Sequence, residues 1–365
     1  MQIIDDRRAL HRIPELDRDV PKTTAYLRAA LEPLNCKLFV PARGSLCAWF
    51  DFGKKEAIAF RTDIDALPIH EHTRLPFASE HPGRMHACGH DGHMAILLEL
   101  ARRLSQTEAP RYNVLLVFQC AEETTGGAKG LCESGILEAH HVTRVFGLHL
   151  WPNLPAGQVF TRPGPLMARS NEVTVTVTGK SVHLSRASQG RDALTAGAEY
   201  LRRAYAMVDT LPPEEPRAFL FGKMTSGTVR NAVSGKTVLE GSLRTYREET
   251  YRFCKEQLEA IGQDLAAGTG CGVEVYLNEG YPAVWNHEGL YETVCDALGP
   301  DAPSLLDAPA LAAEDFSFYQ RAVPGVFFFL GVGQTPELHA PDFCFDDETV
   351  LPKGVEFLKE LLFMA

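Results

Sequence analysis

Three continuous apolar runs constrain the fold most: Ala57-Ile58-Ala59-Phe60, Val114-Leu115-Leu116-Val117-Phe118 and Val326-Phe327-Phe328-Phe329-Leu330. They are too short for ordinary helices and present no polar face, which suits strands covered on both sides. Val145-Phe146-Gly147-Leu148 reads as a fourth. Helical segments are expected at 6–13, 21–33, 94–100 and, closing the chain, 347–363. Strands alternating with helices give an α/β layer fold. The texture changes near 162–171, where Pro163-Gly164-Pro165 punctuates the chain. Val173-Thr174-Val175-Thr176-Val177 then alternates apolar and polar residues, as a strand with one solvated face does. A helix at 192–208, strands at 218–225 and 235–246, a helix at 248–266 and a strand at 273–277 complete a β-α-β-β-α-β order, that of a small α+β sandwich. Pro282 and Asn286 mark the return. The expected organisation is therefore an α/β domain of residues 1–166 and 284–365, interrupted by an inserted domain, 167–283.

The residues just past the buried strands are chemically distinctive. Asp63 and Asp65 lie beyond the first run, in Arg61-Thr62-Asp63-Ile64-Asp65-Ala66-Leu67-Pro68. Glu122 and Glu123 come after the second, His149 ends the Val145 run, and His339 lies beyond the Val326 run. Side chains at the carboxyl ends of central strands collect along one sheet edge, where α/β folds place their ligands. A separate segment, His86-Ala87-Cys88-Gly89-His90-Asp91-Gly92-His93, adds a thiol, three imidazoles and a carboxylate. Thiolate and imidazole are donors for transition metals, and the glycines let the backbone bend. Each residue alone has an ordinary structural reading: a core histidine, an acidic helix start, a turn-forming aspartate. Their joint delivery to one edge favours a metal centre. Asp63 is read as holding a ligand imidazole by its other nitrogen.

Composition limits the partners. The 365 residues carry 36 basic and 47 acidic side chains, a formal charge of −11. That balance argues against nucleic acid, which needs a basic footprint, and no Lys/Arg run suits an anionic membrane. Residues 1–8 lack the apolar stretch of a signal peptide. Nine scattered cysteines do not form a disulfide framework. Together these features lead one to expect a cytoplasmic protein.

The Arg61–Pro68 and His86–His93 segments, with Ala121-Glu122-Glu123 and Leu338-His339-Ala340-Pro341-Asp342-Phe343, resemble the signatures of the aminoacylase/carboxypeptidase-type metallohydrolases. The matching branch contains hippurate hydrolases, N-acetyl-diaminopimelate deacetylases and auxin-conjugate hydrolases. The resemblance runs essentially end to end. It implies a mixed-sheet, zinc-peptidase-like catalytic domain with an inserted ferredoxin-like α+β lid that often dimerises. It implies two divalent ions (zinc, manganese, cobalt or nickel) on Cys88, His90, Glu123, His149 and His339. Glu122 matches the general base, and His183, in Gly179-Lys180-Ser181-Val182-His183, matches a histidine that stabilises the transition state. Asn231 and Arg244 resemble positions near the substrate carboxylate. The segment Ser181–Ser188 departs from the family in lacking a second histidine. The implied reaction is hydrolysis of an N-acyl amino acid, a small-molecule substrate. A dipeptidase or carboxypeptidase of the same family, and a non-catalytic metal-stabilised binding protein, are the alternatives. Five ligands cannot saturate two ions separately, so one donor must bridge, either Cys88 or a carboxylate.

Overall fold

The computed structural model describes residues 1–106 and 110–364. It divides into two compact units: Met1–Leu166 with Val284–Pro309 and Glu314–Ala365, and Met167–Ala283 with Ala310–Ala313. The short return of Ala310–Ala313 to the second unit is not signalled in the sequence. Its anchor is visible in the Ala168 amide donating to the Ala312 carbonyl at 2.8 Å and the Tyr246 hydroxyl donating to the Ala310 carbonyl at 2.8 Å.

The first unit is built on a mixed sheet. Its strand order is Lys37–Phe39, Leu46–Phe50, Asn113–Gln119, Ala57–Asp63, Val142–Trp151, Gly325–Gly331, Val159–Thr161 and Ser304–Leu305. The four central strands, Asn113–Gln119, Ala57–Asp63, Val142–Trp151 and Gly325–Gly331, run parallel. Asn113–Gln119, Ala57–Asp63 and Gly325–Gly331 are buried along their whole length, which accounts for their unbroken apolar character. Parallel direction also brings Asp63, Gln119, Trp151 and Gly331 to one edge of the sheet.

The helix expected at 94–100 spans His90–Gln106. Its first turn is polar, so apolar periodicity could not reveal it. The Cys/His segment is irregular only as far as Gly89 and helical from His90 on. Gln2–His11 and Asp347–Leu361 flank this helix. Arg7 is buried between them, its Nε donating to Asp91 at 2.9 Å and its Nη1 to Asp347 at 3.1 Å.

The second unit has the topology expected of its segment order. Gly272–Leu277, Arg169–Thr178, Lys236–Thr245 and Ala218–Ser226 form an antiparallel sheet in that order. In sequence order this is 4-1-3-2, the ferredoxin-like arrangement. The helices Ala193–Val208 and Glu248–Thr269 share its core: Val173, Val175 and Val177 face Tyr200, Leu258 and Leu265. Among the described residues no helix is long and apolar enough to cross a membrane.

Candidate metal centre

All five sequence-derived donors lie in the first unit and converge at the carboxyl edge of its parallel strands. They form a chain of neighbours. His149 Nε2 is 3.5 Å from Cys88 Sγ, which is 3.3 Å from His339 Nε2. His339 Nε2 is 3.4 Å from Glu123 Oε1, which is 3.7 Å from His90 Nε2. Around a tetrahedral cation with bonds of about 2.0–2.3 Å, adjacent donors stand roughly 3.3–3.8 Å apart. The observed steps have that spacing. Cys88 lies between His149 and His339, and Glu123 between His90 and His339, so either donor is placed to be shared.

The unpaired polar atoms point the same way. His90 Nε2 and Glu123 Oε1 are buried without a hydrogen-bond partner. Such orphans are costly, and a cation would satisfy both. The remote nitrogens of the two buried imidazoles are fixed: His90 Nδ1 donates to the Asp65 carbonyl at 2.7 Å and His149 Nδ1 to the Leu150 carbonyl at 2.6 Å. Each Nε2 lone pair is therefore left for a ligand. His339 enters from a loop whose backbone amide donates to the Ala87 carbonyl at 2.9 Å, and its side chain is 51% exposed, so the centre opens there. Two non-glycine residues with positive φ belong to the site: His339 at 66° and Ala121, before Glu122, at 61°. Backbone held in this sparsely populated region is typical of functional sites.

Burial, with Glu123 and Glu122 nearby, pushes the Cys88 thiol well above its ordinary range. A thiol in that state needs a cation to become a thiolate. Burial lowers His90 and His149, which favours the neutral, ligating imidazole. The neighbouring glutamates are driven apart. Burial and the carboxylates of Glu314 and Glu123 raise Glu122 well above the usual carboxylate range. Burial opposes ionisation of Glu123 as well, but His339, 3.4 Å from its Oε1, and the nearby His90 hold it below. Cys88→Ser should accordingly lower the metal content measured by elemental analysis; unchanged stoichiometry would remove Cys88 from the donor set.

Several site residues carry roles that the sequence does not assign. Asp65 accepts from the Glu122 amide at 3.0 Å and the Glu123 amide at 3.2 Å, so it shapes the turn that presents both acids. Burial, with the Glu123 charge nearby, pushes its carboxyl up to about 8. Arg61, Glu314 and Asp315 form a buried cluster against Glu122. Asp63 does hold an imidazole by a 2.6 Å bond, but that imidazole is His93, which is outside the five donors.

His183, Asn231 and Arg244 lie in the second unit. His183 bridges to Ala232, and the Leu184 amide donates to the Asn231 carbonyl at 2.9 Å, so the two segments are paired. His183 is N-cap to the Leu184–Gln189 turn. Arg244 is on the Lys236–Thr245 strand, with its Nη1 buried and without a hydrogen-bond partner.

Residues 59–364 match Peptidase family M20/M25/M40. An N-acetyldiaminopimelate deacetylase of Lacticaseibacillus paracasei is 35% identical over 362 residues, covering 96% of this chain and 94% of that protein. One of the same name from Streptococcus sanguinis is 35% identical over 371 residues, covering 99% and 98%. A dinuclear metal-binding peptidase of the M20 family from Bacillus subtilis superposes with a TM-score of 0.86 at 30% identity, covering 99% of this chain and 96% of that one. The chain belongs to peptidase family M20/M25/M40 and is a metal-dependent amidohydrolase.

Proposed function

We propose that this protein hydrolyses the amide bond of N-acyl amino acids, most simply N-acetyl ones, releasing a carboxylic acid and the free amino acid. The observation that carries the reading is the chain of five donors beside a separate carboxylate, Glu122, whose environment favours holding a proton. Cys88, His90, Glu123, His149 and His339 would hold two divalent ions, as the relative from Bacillus subtilis is named for doing. Such ions, when bound, polarise an acyl carbonyl and bring the pKa of water from about 15.7 toward about 7. Glu122 would take the proton of the attacking water and pass it to the departing amine nitrogen. His183 would donate to the developing oxyanion.

Asn231 and Arg244 would hold the substrate carboxylate. Burial lowers the Arg244 pKa, and its buried Nη1 lacks a hydrogen-bond acceptor, which favours an incoming anion. The second unit is also proposed as the seat of a homodimer. Ala218–Ser226 is an edge strand whose Leu220 is 63% exposed, a surface that favours pairing with a second copy. Sedimentation as a monomer at micromolar concentration would dispose of the dimer.

The reaction is tested by incubating metal-reconstituted protein with a panel of N-acetyl amino acids, diaminopimelate among them, and a panel of dipeptides. Amine release from the acylated substrates alone is expected. Release from dipeptides at a comparable kcat/KM would favour a dipeptidase. Release from neither would overturn both readings.

A further inference from the structure

We infer that His93 is a positioning residue for His149, acting through the backbone of Leu150, and is not itself a metal ligand. This rests on the two-ion reading of the site. His93 is buried in a group with Asp63, His90 and His149, all offering donor atoms within 4.8 Å of one another, so proximity alone would admit it as a ligand. Its hydrogen bonds exclude that. The Leu150 amide donates to His93 Nε2 at 2.9 Å. An amide N–H only donates, so Nε2 is unprotonated and its lone pair is used. The proton is then on Nδ1, 2.6 Å from Asp63 Oδ1, and Asp63 Oδ2 is in turn held by Arg61 Nη1 at 3.1 Å. A cation on Nε2 would have to displace the Leu150 amide and leave a buried donor unpaired.

The other side of the same residue faces His149, whose Nδ1 donates to the Leu150 carbonyl at 2.6 Å. That bond fixes the His149 proton on Nδ1 and leaves Nε2 facing Cys88. The two rings meet edge to face, 4.4 Å between centroids. Leu150 is also held by its side chain. A Cβ at Gly89 would stand 3.0 Å from Leu150 Cδ1, and one at Gly92 would stand 2.7 Å from it. The two glycines of the Cys/His segment therefore make room for the residue that joins His93 to His149. The line Arg61–Asp63–His93–Leu150–His149 sets one donor of the metal centre from the Ala57–Asp63 strand.

Two amide replacements separate the ring's functions. His93→Asn keeps a donor near the place of Nδ1, for Asp63, but does not reach the Leu150 amide. His93→Gln places an amide oxygen near the place of Nε2, where it accepts from Leu150. Zinc is titrated into the metal-free proteins against a chromophoric chelator. Two equivalents are expected for wild type and both variants, with affinity about 10–100-fold weaker in His93→Asn and largely recovered in His93→Gln. Loss of one equivalent in both variants would make His93 a ligand, and wild-type affinity in His93→Asn would remove its positioning role; either overturns the inference. A wild-type protein that takes up no zinc would instead overturn the two-ion reading beneath it. Should His93→Asn fail to fold, nitrogen-15 spectra of histidine-labelled wild type decide: a coordination shift at His93 Nε2 on adding zinc overturns the inference, while shifts at the Nε2 of His90, His149 and His339 with none at His93 support it.

Discussion

Glu122→Gln should retain the metal content of the wild-type protein and lose two to four orders of magnitude in turnover, the range a positioned general base supplies. The expectation rests on the way the fold separates two adjacent glutamates. Glu123 lies in the chain of donors and is kept ionised by His339 and His90 against the pull of burial. Glu122 is buried against Glu314 and Asp315, and burial with those charges raises it well above the ordinary carboxylate range. One acid is thus fitted to bind cations and the other to carry a proton, the division by environment seen where two carboxyls do different work. Glutamine has the same shape and hydrogen-bonds at the same place but accepts no proton. The pH dependence has a definite sign: the base acts ionised, so wild-type kcat/KM should rise with pH through the Glu122 titration. The residual rate of the variant should lack that acid limb. Metal content by elemental analysis and amine release measure the two halves separately. A variant with full metal and near-normal turnover would show that Glu122 is not the base.

The donors are legible in the sequence, as segments through their own chemistry and as a set through the family resemblance: Glu123, His149 and His339 follow or end buried apolar runs, and Cys88 and His90 share one short Cys/His segment. A cysteine and histidines within one short segment, and acids or histidines at strand ends, announce a metal centre whatever the details of packing. Residues that act on a backbone group give no such signal. Asp65 matters because its carboxylate meets the amides of Glu122 and Glu123, and His93 because its Nε2 meets the amide of Leu150. Those partners lie 57 or more residues away along the chain, and nothing in the spacing names them. His93 in particular looks like a ligand from its neighbours in sequence. The resemblance leaves it out of the donor set, and the amide pointing at its lone pair supplies the physical reason. Arg61 is a third case, a cation in the middle of a buried strand, where alternation and apolarity leave its role undefined until the acids around it are placed.

Arg61→Met should destabilise the metal-free first unit by about 3–5 kcal/mol, the cost of removing one partner from a buried ionic cluster. The side chain is 1% exposed and meets four acceptors. Nε donates to Gln119 at 2.9 Å, Nη1 to Asp63 and Glu314 at 3.1 Å each, and Nη2 to Asp315 at 2.7 Å. Three carboxylates share this one cation. Burial raises Glu314 well above the usual range, and Arg61 opposes that rise. Burial works to raise Asp63 also, but His90, His93 and Arg61 hold it well below its ordinary value. Without Arg61 the folded-state pKa of Asp63 moves upward. A carboxyl lowered in the folded state contributes stability above its unfolded pKa, near 3.8, and loses that contribution as pH falls through the folded value. The deficit of the variant should therefore be small in strong acid, grow as pH rises toward about 3.8 and be fully developed above it. Arg61→Lys should recover only part of it, because one ammonium cannot span the four acceptors that the guanidinium fork reaches. Urea midpoints of metal-free wild type and variants at about pH 3 and about pH 8, on either side of the unfolded value, measure this. Equal midpoints at pH 8, or a deficit that widens toward acid, would mean that the cluster does not depend on its buried cation.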